Sequence, residues 1–127
     1  MNNQKKILIV EDDDHISKVY EIKLAKEGLA VSVARDGEEA LAKIISEKPD
    51  LVALDIMIPK KDGFWVLEQV KKHPELSKIP IVVLSNLGQK TDQDRALALG
   101  AKEYVVKVDA QIQTLIDKLK AYLGITK

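Results

Sequence analysis

Five short strand-like runs, each followed by a segment of helical period, limit what this chain can fold into. Residues 7–10, 51–54 and 79–84 are continuous apolar runs bounded by turn signals, residues 30–34 alternate, and residues 103–107 form a fifth run that ends in a lysine. Continuous runs of this length read as strands buried on both faces. Between them, Ile16, Val19, Tyr20 and Leu24 recur at helical spacing, with Asp13 or Asp14 as N-cap and Gly28 as the stop. Asp36 and Glu39 have the spacing of a capping box ahead of Ala40, Leu41, Ile44 and Ile45, and Pro49 ends that helix. Phe64, Leu67 and Val70 mark a third helix that closes near Pro74. Residues 88–100 make a weaker one, polar in its first half, with Ala96, Leu97 and Leu99 turned inward. Ile112, Leu115, Ile116, Leu119, Tyr122 and Leu123 stripe the last helix, which Asp109 caps and Gly124 stops. Strand then helix, five times over, predicts a doubly wound α/β fold: a five-stranded parallel sheet with five helices distributed over both faces and right-handed connections.

That topology gives meaning to the residues at the strand ends. Parallel strands deliver their carboxyl ends to one rim, where open α/β sheets bind their ligands. The first strand ends in Glu11-Asp12, the third in Asp55, the fourth in Ser85 and the fifth in Lys107. Three carboxylates brought together repel one another unless a cation sits among them. Oxygen ligands without His or Cys favour a hard ion, Mg²⁺ rather than zinc, and Mg²⁺ so held keeps waters and binds phosphate oxygens. Lys107 supplies a point charge for a phosphate and Ser85 a hydroxyl donor. A carboxylate can itself accept a phosphoryl group. The set therefore suits Mg²⁺-assisted phosphoryl transfer onto Asp55, a chemistry carried by positioning and electrostatics.

Read singly, each residue has a blander explanation. Residues 11–14 suit a solvated helix start. Asp55 and Asp62 suit turns, Lys107 a surface position, Ser85 a loop, and Tyr104 a half-buried strand. His15 reads as a solvated helix residue. The combination at four strand ends, in order, is what departs from chance.

Composition removes other classes. With 127 residues, 46% of them apolar, the chain fills one core. Lys+Arg and Asp+Glu each total 20, a net charge of zero that argues against nucleic-acid or membrane-surface binding driven by bulk charge. The chain has no cysteine, which excludes disulfides, thiolate catalysis and cysteine zinc sites, and two histidines, too few for a histidine-rich metal site. The N-terminal apolar run is too short for a signal peptide or a membrane span, so the expected compartment is the cytoplasm.

The motifs at residues 7–13, 54–59, 62–63, 82–85, 100–101 and 104–107 together resemble the receiver domain of two-component response regulators, of single-domain chemotaxis and sporulation size, over essentially the whole chain. The resemblance implies a flavodoxin-like sheet of order 2-1-3-4-5. It implies Asp55 as phosphoacceptor, Mg²⁺ held by Glu11, Asp12, Asp55 and the Met57 carbonyl, Ser85 and Lys107 at the phosphoryl group, and Ser85 with Tyr104 as the switch. Asn86 would border the phosphoryl site where the family has a small residue, and Val108 stands where the family has proline. The implied partners are a sensor histidine kinase or phosphotransfer protein as donor, and a protein target or output domain reading the 88–123 face. A phosphorylation-dependent homodimer is a further implied state. The chain would be a signalling phosphoacceptor that assists its own phosphorylation and dephosphorylation, rather than a turnover enzyme. A degenerate receiver, binding partners without phosphorylation, is the alternative. A haloacid-dehalogenase-type phosphatase fits less well, because it needs a second acid where Met57 stands. Residues 1–127 are expected to be one receiver domain with no output domain in this chain.

Overall fold

The computed structural model describes residues 4–125. The chain alternates as expected: β1 (Lys6–Val10), α1 (Asp14–Lys26), β2 (Ala30–Ala34), α2 (Gly37–Glu47), β3 (Leu51–Leu54), α3 (Gly63–Lys71), β4 (Ile81–Ser85), α4 (Lys90–Ala98), β5 (Glu103–Val106) and α5 (Ile112–Tyr122). The strands form one parallel sheet in the order β2-β1-β3-β4-β5. No helix among the described residues is long and apolar enough to cross a membrane.

Strand residues alternate between faces, and here both faces are covered. Leu8, Val10, Val52, Leu54, Ile81 and Val83 pack with Ile44, Phe64, Leu67, Val70 and Ala96 on the side of α2, α3 and α4. Ile7, Ile9, Leu51, Ala53, Val82 and Leu84 pack with Tyr20, Leu24, Leu115, Ile116 and Leu119 on the side of α1 and α5. This two-sided burial explains why β1, β3 and β4 read as unbroken apolar runs.

Register then positions the site. Val10 pairs with Leu54, so Glu11 and Asp55 leave the sheet side by side. The Asp55 N–H donates to the Val10 carbonyl (3.1 Å), and the Glu11 N–H to the Ala34 carbonyl (2.9 Å). Ser85 pairs with Val106, one residue short of Lys107.

Several details differ from the sequence expectation. Asp109 does not cap α5. Residues Lys107–Asp109 form one 3-10 turn, and Gln111 stands at the N-cap with no side-chain hydrogen bond. Lys107 is therefore the first residue of that turn, not the last of β5. Leu97 is 45% exposed, because the single buried position of α4 is Ala96. Val19 and Ile45 lie at the edges of their apolar stripes and are exposed. Tyr122 is exposed too, and its hydroxyl donates to Glu103 Oε1 (2.8 Å). The α2 capping box is displaced: Asp36 accepts from the Glu39 N–H (2.8 Å), but Glu39 Oε1 accepts from the Arg35 N–H (2.8 Å) rather than that of Asp36. Asp13 caps α1, and Asp62 is an N-cap, accepting from the Trp65 N–H, rather than only a turn residue.

The displaced box lies beside one edge of the sheet, that of β2. The Ala30 N–H and the Ala34 carbonyl bond to the β1 side, so Val31 and Val33 direct their backbone groups outward. Lys43 Nζ donates to the Val33 carbonyl (2.5 Å) and pairs with Glu39 (3.3 Å). Edge strands blunted in this way resist pairing with another chain. Replacing Lys43 with Ala should cost about 1 kcal/mol in urea denaturation and produce concentration-dependent self-association in sedimentation velocity. An unchanged monomer at high concentration would remove the protective role.

Candidate functional site

At the carboxyl end of β1 and β3, carboxylate oxygens of Glu11, Asp12 and Asp55 lie within 4.8 Å of one another. Glu11 and Asp55 are buried and Asp12 is exposed. Lys107 bridges the buried pair: its Nζ is 2.7 Å from Glu11 Oε1 and 3.1 Å from Asp55 Oδ2. Each carboxylate also accepts one backbone N–H. Asp13 donates to Glu11 Oε2 (3.2 Å) and Met57 to Asp55 Oδ1 (3.0 Å). Every peptide bond among the described residues is trans, Lys107–Val108 included, and the Lys107 ammonium reaches both acids from the start of the 3-10 turn.

Burial sets the electrostatics. It pushes the Glu11 carboxyl above its ordinary value, and the Lys107 ammonium and the Asp13 N–H only partly oppose it. Burial alone would lower the Lys107 pKa. The Glu11 hydrogen bond and the charges of Asp55 and Glu11 outweigh that, and the result is raised. Lys107 thus stays an ammonium across the neutral range, anchored by two acids.

A second cluster forms beside the first, at the β4–α4 connection. The Ser85 side chain is fully buried, and its Oγ accepts from the Leu87 N–H (3.3 Å). The Tyr104 hydroxyl donates to the Leu87 carbonyl (2.6 Å), and burial pushes its phenol upward. Asn86, between Ser85 and Leu87, is exposed. Of the residues selected from sequence, Glu11, Asp12, Asp55 and Lys107 converge. Ser85 and Tyr104 meet at Leu87 instead, and the Met57 side chain faces solvent while its N–H holds Asp55. A hard cation suits the first cluster, because its donors are three carboxylates without nitrogen or sulfur.

Sequence reading missed Tyr20. It is buried at the inner face of α1, with burial raising its phenol to about 12, and it feels the charges of Lys107, Glu11 and Asp55. Its helical spacing marked it only as core. A tyrosine on an otherwise aliphatic stripe was the available signal.

Two outcomes follow from these environments. Lys107→Met leaves two buried carboxylates without their cation and should cost about 3 kcal/mol at neutral pH. A carboxyl whose folded pKa is raised contributes stability below its ordinary 4.5 and loses it as pH rises. The deficit should therefore shrink on acidification toward that value; a deficit constant with pH in chemical denaturation would contradict this account. Tyr20 contributes stability that is full below pH 10 and lost as pH rises through about 12. Tyr20→Phe should remove the last phenolate step in an alkaline absorbance titration.

The family model for the response regulator receiver domain matches residues 7–120. A curated relative from Cyanophora paradoxa, "Probable transcriptional regulator ycf27", is 42% identical over 120 residues, which are 90% of this chain and 49% of the relative. The chain therefore spans about half the length of that relative. The BeF₃-activated N-terminal receiver domain of Klebsiella pneumoniae RstA superposes with a TM-score of 0.84 at 33% identity, covering 95% of this chain and 100% of that one. The phosphorylated cyanobacterial phytochrome response regulator RcpA superposes with a TM-score of 0.85 at 31% identity, covering 98% of this chain and 97% of that one. The fold is accordingly the flavodoxin-like one that the resemblance implies, and this chain belongs to the response regulator receiver domains of two-component systems.

Proposed function

We propose that Asp55 accepts a phosphoryl group from the phosphohistidine of a sensor kinase or phosphotransfer protein, or from a small acyl phosphate. The observation that carries this reading is the Lys107 ammonium held between Glu11 and Asp55 beside Asp12. An Asp55 carboxylate oxygen attacks phosphorus, the P–N bond to the donor imidazole breaks, and the leaving imidazole takes a proton from solvent. The Met57 N–H holds Oδ1 and orients the carboxylate for attack. Glu11, Asp12 and Asp55, with the Met57 carbonyl, would hold Mg²⁺, which when bound supplies charge neutralisation at the phosphoryl oxygens. Lys107 already contacts Asp55 and stabilises the charge spreading over the transferred group.

The readout begins at Ser85. Its hydroxyl leaves the Leu87 N–H to donate to the new phosphoryl oxygens. Tyr104 holds the carbonyl of the same residue, so the displacement passes to the 86–89 connection and to α4. That helix shifts at low cost: it has no side-chain cap, and Ala96 is its one buried residue. Asn86, exposed beside Ser85, tunes how water reaches the aspartyl phosphate. The 88–123 face then binds a protein target, an output domain or a second phosphorylated copy. The length and name of the ycf27 relative favour a transcriptional output, with residues 1–127 as the receiver unit. A phosphorylation-independent binding module is less well supported, because Lys107 meets both acids although Val108 replaces the family's proline.

Intact-mass spectrometry after brief, cold incubation with acetyl phosphate tests this. The expected outcome is one added phosphoryl group, dependent on Mg²⁺ and absent in Asp55→Asn. Labelling retained in that variant would refute Asp55 as acceptor. A folded wild-type chain that takes no label from acetyl phosphate or from a phosphorylated donor would support the binding-module reading.

A further inference from the structure

The segment from Asp55 to Gly63 folds back on itself. The Ile56 carbonyl accepts from both the Ile58 N–H (3.1 Å) and the Gly63 N–H (2.9 Å), and Lys60 takes a left-handed backbone (φ 66°) at the turn. Three consecutive residues of this loop rest against the start of α2. The Pro59 carbonyl accepts from the Gly37 N–H (3.4 Å), and Lys60 Nζ lies 3.6 Å from Asp36 Oδ2. The Lys61 carbonyl approaches Gly37 so closely that a Cβ there would stand 2.0 Å from its oxygen, 2.6 Å from its carbon and 2.8 Å from Lys61 Cβ.

Backbone conformation does not explain a glycine at this position. Gly37 is absent from the positive-φ residues, and alanine is the better helix former in a helical position. What requires glycine is the neighbouring loop. The obstacle is backbone rather than a flexible side-chain end, so a methyl group must move the loop or the helix. The other end of the same loop carries Asp55 and Met57.

We propose that the Asp36–Gly37 start of α2 is a positioning brace: it fixes Pro59, Lys60 and Lys61, and through the closed loop it sets where Asp55 and Met57 present their oxygens to a divalent cation. This rests on the reading of the acid cluster as the Mg²⁺ site of a phosphoacceptor. The brace touches neither cation nor phosphoryl group and acts only through the loop.

Isothermal titration with Mg²⁺ alone, without phosphodonor, provides the test. Gly37→Ala should weaken Mg²⁺ binding by about tenfold, the scale on which outer partners affect metal sites. Hydrogen exchange at the Met57 and Gly63 amides should accelerate in that variant. Glu38→Ala, an exposed change in the same turn, should leave both unaltered. Lys60→Gly gives a second reading if the alanine variant folds poorly. Removing a cation from the loop that carries Asp55 would, by electrostatics alone, tighten Mg²⁺ binding if it changed it at all, whereas loss of the brace weakens it. Unchanged binding in Gly37→Ala, with a melting temperature at or above that of wild type, would reduce Gly37 to a helix start and overturn the brace; so would tighter binding in Lys60→Gly. If the wild-type chain binds no Mg²⁺, the reading of the acid cluster falls and the brace falls with it.

Discussion

The arrangement depends on one half-buried cation. Lys107 lies 96 residues from Glu11 and 52 from Asp55 in sequence, yet its ammonium bonds both. Removing two carboxylates from water is costly unless they are paired and hydrogen-bonded. Here Lys107 and two backbone N–H groups meet that need. The pairing also ties the last strand to the first and third across the intervening β4. It therefore couples the assembly of the rim to the pairing of β1, β3, β4 and β5, since the three charges come together only when those four strands are in place.

The sheet makes that convergence reproducible. Each central strand sends alternate residues into two separate apolar layers. A slip of one residue would exchange the layers and carry every rim residue away from its partner. The apolar interior thus acts as a ruler for the polar end. Matching Val10 to Leu54 is the act that sets Glu11 beside Asp55.

Much of this was legible beforehand, and the reasons are specific. Strand identity showed in the apolar runs because burial on both faces leaves no polar positions within them. The rim residues showed because strand order along the chain predicts which ends share an edge. What escaped involved side chains that bond distant backbone. No local pattern announces that the Tyr104 hydroxyl seeks the carbonyl of Leu87, or that Gly37 faces the carbonyl of Lys61. The α5 cap was misread because Asp109 is a good capping residue by type, but the 3-10 turn after β5 uses it first. Leu97 was misread because periodicity cannot tell that a helix rests on its sheet through a single alanine. Tyr20 was placed in the core correctly, but its closeness to the charged rim lies along a direction that helical spacing does not report.

Leu87 has a consequence of its own. Its N–H and its carbonyl belong to successive peptide units; Ser85 holds one and Tyr104 the other. The two side chains come from neighbouring strands, β4 and β5. The short span of main chain between them is therefore a linkage with two grips. Any event that draws one grip away must turn both peptide planes, drag the other grip along, or tear it loose. A fold whose sheet is too tightly packed to deform still has, at this one residue, a joint whose rotation can be felt on the outside of the molecule.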